Sequence, residues 1–304
     1  MITRSEKNEK IRQELIDEEK KKKRKKIIIR ILIILITIIA IIGLILGYMR
    51  FIGTKGLEVR EYKVVNNKLP DSFHGFKVVQ FSDLHYLSTV NKSDLKNIIN
   101  KINKLKPDIV VFTGDLIDKD ANVTDNDISD VVELFNKIKV TTGMYAVKGN
   151  HDYSNNYFDI IFNQTNFKVL NNTYDLIYYH STSPILITGV GSSIKGDMDL
   201  GSSFSYNETD NIYTIFLLHE PDNIDKAIST NSVDLALAGH SHNGQIRLPK
   251  IGSLVKNKGA RKYDQDYYRI GKTDLYISGG IGTSSFKLRF FTRPSINIYR
   301  LVEK

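Results

Sequence analysis

Apolar residues in this chain fall into three kinds of run. Five short ones, KVVQF (77–81), IVVFT (109–113), MYAVK (144–148), IYTIFLL (212–218) and LALA (235–238), are rich in β-branched or aromatic residues, the pattern of strands buried on both faces. Between them, SDLKNIINKINKL (93–105) and DISDVVELFNKI (127–138) carry apolar residues at helical spacing, and NIDKAIS (223–229) is a shorter helical stretch. Strands alternating with helices predict βαβ units and sheets covered by helices. A late β-rich region, with YISGG and SINIYRLV between Leu275 and Val302, is expected to complete a second sheet.

The third kind of run is IIIRILIILITIIAIIGLILG, Ile27 to Gly47, with Arg30 as its only charge. As a helix it spans ~31 Å, which matches the hydrocarbon thickness of a bilayer. A cleavable signal would have a shorter apolar region and a small-residue cleavage site, whereas this run ends in GYMRF, so an uncleaved anchor is expected. The predicted organisation is a basic tail over 1–26, a transmembrane helix over 27–47, a linker over 48–59 and a catalytic domain over 60–304.

Charge changes the picture less than its total implies. The chain of 304 residues carries a net charge of +9, but residues 1–30 hold twelve Lys/Arg against six Asp/Glu, which leaves only +3 for the rest. A basic balance concentrated in the tail says little about the substrate of the folded domain. It does orient the anchor: KKKKRKK (20–26) precedes it, and only scattered Arg50, Lys55 and Arg60 follow. The positive-inside rule puts the N-terminus in the cytoplasm and the domain outside it, as a single-pass protein of the cell membrane. With no cysteine, thiolate metal sites, disulfides and cysteine nucleophiles are excluded.

Each of the five strands runs straight into polar chemistry: SDLH, GDLID, GNHD, HEPD and GHSH. Ligands of α/β sheets bind at the carboxyl ends of strands, so Asp83, His85, Asp115, Asn150, His151, His219, His240 and His242 can share one rim. Five of the seven histidines lie in these clusters; His74 and His180 do not, and are expected to be incidental. Carboxylates, imidazoles and an amide favour Mn, Fe or Zn. So many ligands suit two ions ~3.5 to 4 Å apart that share a carboxylate, the clamp used for in-line displacement at phosphorus.

Taken in order, Asp83-Leu84-His85, Gly114-Asp115-Leu116-Ile117-Asp118, Gly149-Asn150-His151-Asp152, His219 and Gly239-His240-Ser241-His242 resemble the pattern of the calcineurin-like metallophosphoesterases. VVQFSDLH, GHSHNGQIRLP and GGIGTSSFKLRFFTRPSI are similar to the membrane-anchored bacterial branch of that family, the YkuE/YaeI-like and UDP-2,3-diacylglucosamine hydrolase-like phosphoesterases. The resemblance implies an αββα four-layer sandwich and two divalent metal ions. Asp83, His85, Asp115 and His242 would hold the first, and Asp115, Asn150, His219 and His240 the second. A water activated between them would attack phosphorus in a phosphomonoester, phosphodiester or pyrophosphate. His151 would steady the phosphoryl oxygens or protonate the leaving oxygen, with Asp118 fixing its tautomer. Asp152, Glu220 and Asp222 would support the ligands from behind. One departure is Asn243 where the branch has Gly, a residue that tolerates the left-handed backbone such a turn needs.

Two other classes bear on the assignment. A metal-free interaction module on the same fold would have lost ligands, and here all are retained. A nuclease would benefit from a basic groove with interleaved aromatics, which the +3 balance after residue 30 disfavours. Tethering brings lipid-linked or envelope phosphoesters to the site at high effective concentration, so the expected partners are such a substrate and the membrane. A reporter fused after residue 60 is expected to be active outside the cytoplasm, and activity confined to the cytoplasm would overturn the orientation.

Overall fold

The computed structural model describes residues 4–118, 120–206, 211–284 and 286–304; the first three residues of the tail expected over 1–26 lie outside that set. The chain falls into two units, Met1–Tyr48 and Met49–Lys304. In the first unit one helix, α1 (Arg4–Gly47), runs without a break through both the basic tail and the apolar run. Lys, Arg, Glu and Gln are strong helix formers, so nothing in 4–26 stops a helix that the apolar run continues. The apolar part is long enough to cross a membrane, and its side chains are exposed.

The second unit is built on two six-stranded sheets. In chain order the strands are β1 (Glu58–Asn66), β2 (Lys77–Phe81), β3 (Ile109–Phe112), β4 (Gly143–Ala146), β5 (Phe167–Val169), β6 (Thr173–Ile177), β7 (Ile185–Gly189), β8 (Thr214–Leu217), β9 (Leu235–Ala238), β10 (Arg247–Leu248), β11 (Gly252–Ser253), β12 (Tyr267–Ile270), β13 (Thr273–Ile277) and β14 (Ser295–Glu303). The first sheet has the order β1-β14-β2-β3-β4-β5 and the second β12-β13-β9-β8-β7-β6, while β10 and β11 form a separate hairpin. Strands β2 to β5 are mutually parallel, as are β7, β8, β9 and β13.

Period-two alternation sorts the apolar residues into layers. Val78, Ile109 and Val111 of the first sheet meet Ile187, Leu217, Leu235 and Leu237 of the second in a core between the sheets. The alternate residues Val79, Val110 and Phe112 face outward, onto the helices α2 (Lys92–Leu105), α3 (Asp125–Phe135) and α4 (Tyr157–Phe162). Phe216, Ala236 and Ala238 face the other way, onto α5 (Leu200–Ser203) and α6 (Ile224–Ile228). The result is four layers, helix-sheet-sheet-helix. Helix α2 turns Leu95, Ile98, Ile99 and Ile102 inward and starts at a capping box in which Asn91 and Asp94 satisfy each other's backbone N–H.

Two boundaries differ from the sequence-based expectation. The stretch 48–59 is not a plain linker: Tyr48–Ile52 makes a π-helical turn and β1 begins at Glu58. The late region does not enter one sheet. β13 joins the second, whereas β14 lies in the interior of the first, parallel to β1 and antiparallel to β2. The segment between them crosses from sheet to sheet because its backbone is held on the way: Ile281 and Gly282 donate N–H to the Asp83 carbonyl at 3.2 and 2.8 Å.

Replacing the inter-sheet Leu237 by Ala should cost about 2–5 kcal/mol in urea unfolding. Loss of the exposed cap in Asn91→Ala should cost only about 1 kcal/mol. Equal costs would contradict the placement of the core.

Candidate metal centre

The parallel strands aim their carboxyl ends at the junction of the two sheets. Residues following β2, β3 and β4 in the first sheet and β8 and β9 in the second meet there. The sheets are stitched at this edge by Gln80, whose Nε2 donates to the Ala238 carbonyl at 2.9 Å, and by His219, whose Nδ1 lies 2.7 Å from the Thr113 carbonyl. Asp83, His85, Asp115, His240 and His242 all have positive φ, between 40° and 64°. A left-handed residue just past a strand turns its side chain across the strand end. Asp and His adopt this conformation more readily than most non-Gly residues, at a cost on the order of 1 kcal/mol each.

Three candidate ligand groups result: Asp83 with His85 and His242 and Asp115 with His219 and His240, both fully buried, and between them His85 with Asp115 and the half-buried His151. In the first, His242 Nε2 lies 3.3 Å from Asp83 Oδ1 and 3.2 Å from His85 Nε2. In the second, Asp115 Oδ2 lies 3.3 Å from His219 Nε2, which is 3.2 Å from His240 Nδ1. Asp115 joins the groups, since the same Oδ2 is 3.6 Å from His85 Nε2. Ring nitrogens at 3.2 Å from one another, with carboxylate oxygens between, are an arrangement that can hold a shared cation.

Neighbouring carbonyls select which nitrogen each ring offers. With Nδ1–H donating to Thr113, His219 presents Nε2; with Nε2–H donating to Lys258 at 2.8 Å, His240 presents Nδ1. Asn150 leaves Oδ1 buried without a hydrogen-bond partner, as expected of a ligand oxygen. The adjacent His151 donates its backbone N–H to Asp115 Oδ1 at 2.9 Å, which sets Asn150 beside the carboxylate shared by both groups. The donor set therefore fits two divalent cations.

Space at the rim is tight. A Cβ on Gly149 would collide with Asp115 Oδ1 and lie 2.7 Å from His219 Cε1, so Gly is required there by close approach.

Electrostatics agree with a cationic occupant. Burial pushes the Asp115 carboxyl up, but His219, His151 and His85 hold it well below the usual range; burial likewise opposes Asp83, which His242 and His219 bring down. The same burial lowers His242 to about 4 in spite of Asp83. Both carboxylates are thus ionised and His242 is neutral, as ligation needs, whereas the same carboxylates raise His219 and His85 against burial, so a bound cation would displace protons from those two rings.

The supporting residues are placed partly as expected. Asp152 accepts N–H from Asp115, Leu116 and Gly149 at 2.8, 2.9 and 2.8 Å and so ties two strand exits together. Burial and the neighbouring Asp115 raise its carboxyl to about 7, against the pull of those three donors. Asp222 accepts from the backbone of Arg261, Lys262 and Tyr263, and Glu220 from Ser192 and the Ser193 backbone. Asn243 takes the left-handed conformation expected for it, with φ 53°.

Asp118 differs from expectation. Its Oδ2 lies 3.6 Å from His85 Nδ1, and neither His85 Nδ1 nor His151 Nδ1 has a hydrogen-bond partner among the described residues. Asp118 therefore sits close to His85 but is hydrogen-bonded to neither ring. His151 is half-buried, with its ring edge-on to His85 at 4.9 Å. His74 and His180 are exposed and lie apart from both ligand groups.

One participant was not legible in sequence. Arg289 is completely buried, donates to the carbonyls of Gly279, Gly280 and Gly282, and reaches within 3.4 Å of His242 Nδ1. Nothing in FKLRFFTR distinguishes this arginine from the exposed Lys287 and Arg293 beside it.

The profile of the calcineurin-like phosphoesterase family matches residues 76–244, the span that carries every ligand above. The chain belongs to the calcineurin-like phosphoesterases. It is a metal-dependent phosphoester hydrolase. The uncharacterized metallophosphoesterase YkuE of Bacillus subtilis is 33% identical over 260 residues, covering 84% of this chain and 89% of that one. UDP-2,3-diacylglucosamine pyrophosphatase LpxG of Chlamydia muridarum is 27% identical, with 77% of this chain and 86% of that protein aligned. A transmembrane protein with a metallophosphoesterase domain from Danio rerio is 26% identical over 79% of this chain and 56% of its own length. Among solved structures, Haemophilus influenzae NAD nucleotidase superposes with a TM-score of 0.46 at 13% identity, over 68% of this chain and 45% of that one.

Chelation should lower the melting temperature, and free Mn²⁺ or Zn²⁺ should restore it. An ion at 100 times its Kd stabilises the native state by ~2.7 kcal/mol per site. Thermal melts of the Asp115→Ala protein should show almost no response to either ion; a full response would remove Asp115 from the centre.

Proposed function

We propose that this phosphoester hydrolase is anchored to a membrane by residues 27–47, with the basic residues of 1–26 on the cytoplasmic side and the catalytic domain outside. Its substrate in this reading is a lipid-linked phosphoester, with a pyrophosphate favoured. The observation that carries the reading is the convergence of two buried ligand groups on one carboxylate, Asp115, in a chain that also holds an apolar helix of membrane-spanning length. The pyrophosphatase named among its relatives acts, by its name, on a diacylated nucleotide sugar, which supports the substrate class.

Two divalent ions, Mn, Fe or Zn, would supply Lewis acidity toward a phosphoryl oxygen and lower the pKa of water. The chain's own residues do the rest. Asp83, His85, Asp115 and His242 form one half of the cradle, and Asp115, Asn150, His219 and His240 the other. The carbonyls of Thr113 and Lys258 hold His219 and His240 in fixed tautomers, so no reorientation is needed when substrate arrives.

His151 stands beside this cradle without being required by it. Its Nδ1 is unpartnered and its ring abuts His85, so it can donate to a phosphoryl oxygen or deliver a proton to the leaving oxygen. Asp118 lies 3.6 Å from His85 Nδ1, close to that ligand.

Hydrolysis of an aryl phosphomonoester, an aryl phosphodiester and a nucleotide-linked lipid pyrophosphate should be compared with Mn and then Zn. The reading expects the lipid pyrophosphate to have the highest kcat/KM. His151→Ala should keep about two ions per chain by elemental analysis yet lose ~10² to 10³ in turnover, the usual effect of removing one donor aimed at transition-state charge. Wild-type turnover by that variant on all three substrates would remove His151 from the chemistry.

A further inference from the structure

Beside the metal centre lies a surface that hydrolysis does not explain. Residues 246–262, IRLPKIGSLVKNKGARK, contain six Lys or Arg and no Asp or Glu, and 286–293, FKLRFFTR, add the exposed Lys287 and Arg293 beside the buried Arg289, again with no acid. The two segments form one surface: Arg247 donates its N–H to the Phe290 carbonyl at 2.9 Å, and Phe290 donates to Gln245 at 3.0 Å. The tip of the β10–β11 hairpin and its flanks expose Ile251, Leu254 and Val255, and the second segment exposes Phe286, each more than half accessible. Among the described residues Lys250, Arg261 and Lys287 make no ion pair. Exposed apolar side chains ringed by unpaired cations are a poor surface for water and a good one for an interface of lipid headgroups.

Position strengthens the case. Val255 and Phe286 line a cavity of about 80 Å³ that His242 also lines, so the surface borders the metal ligands. The residues that follow the apolar helix are tied to the same segment: Arg289 donates its backbone N–H to the Met49 carbonyl at 3.0 Å. Phe51 and Ile52, two and three residues further on, are also exposed. A second copy docking through the same face would set like charges against each other.

We infer that the β10–β11 hairpin and the 286–293 segment dock on the anionic headgroup layer of a bilayer, with Ile251, Leu254 and Phe286 entering the acyl boundary. The metal centre then opens at headgroup level, where the phosphate of a lipid-linked substrate lies. This rests on the anchoring reading above and adds to it the face that meets the membrane.

The chain has no tryptophan, so one introduced tryptophan reports its own position. Full-length Phe286→Trp and Ile251→Trp proteins would be reconstituted in phosphatidylcholine vesicles with and without phosphatidylglycerol. Tyr178→Trp is the reference: Tyr178 is exposed and follows β6, which runs antiparallel to β7, so it lies at the end of the sheet away from the ligands. Emission from the first two proteins should shift blue, and lipids with a nitroxide near the headgroup should quench it several-fold more than in the reference, most strongly with phosphatidylglycerol. Quenching no greater than the reference, in protein that floats with the vesicles, overturns the docking face and leaves the anchor standing. Equal quenching in phosphatidylcholine alone overturns the choice of an anionic surface. A lipid-independent blue shift that grows with protein concentration overturns it in favour of a second copy. Protein that fails to float removes the anchor, and the docking face with it.

Discussion

Two carboxylates, Asp83 and Asp115, sit in the interior with negligible access to water, and the groups around them are imidazoles. Moving an ionised carboxylate out of water is costly unless opposite charge accompanies it. Without an ion the imidazoles supply it by taking up protons, as the raised His219 shows. Arg289 is the buried cation nearest the cluster, and it spends its donors on three backbone carbonyls. Burial depresses the Arg289 guanidinium to about 10, although Asp83 pulls the other way. Divalent ions are the counter-charge that would replace those imidazole protons. Every structural choice around the rim, from the left-handed ligands to the crowded Gly149, serves to hold these groups where cations can neutralise them.

That requirement explains why the backbone accepts strain where it is most ordered. Five ligands in the left-handed region cost several kcal/mol in aggregate, on the order of 1 kcal/mol each. The geometry persists because neighbouring bonds over-determine it. Asp83 accepts N–H from His240 at two oxygens, Asp115 is pinned by Asp152, and the crossing segment is hydrogen-bonded to Asp83. Removing one member of this lattice disturbs ligands of both groups, so substitutions among them are expected to be strongly non-additive.

Much of this was legible in the sequence, for a local reason. A strand buried on both faces is a continuous apolar run, and the residue after it is fixed in direction. KVVQF-SDLH and LALA-GHSH therefore announced both an element and the side chains at its end. Long-range pairing was not local in this way. Nothing in SINIYRLV marks β14 for the first sheet and β13 for the second, because both are β-rich and both are buried. Asp118 meets the same limit: its sequence distance from His85 equals that from His151, and only the packing of strand exits sets it 3.6 Å from His85. Arg289 was hidden by composition, as a buried cation among exposed ones.

The placement of β14 has a consequence for how such a protein is made. It lies between β1 and β2, and its nine residues pair with Glu58–Asn66 along their whole length. On a ribosome β14 is synthesised after every other strand of its sheet, so until then β1 has no partner and the edge of β2 is open. Pairings of such sequence separation are slow to form, and unpaired edges invite wrong ones. By that time the apolar helix has long since emerged. The order of synthesis thus makes closure of the first sheet a late event in the birth of the enzyme.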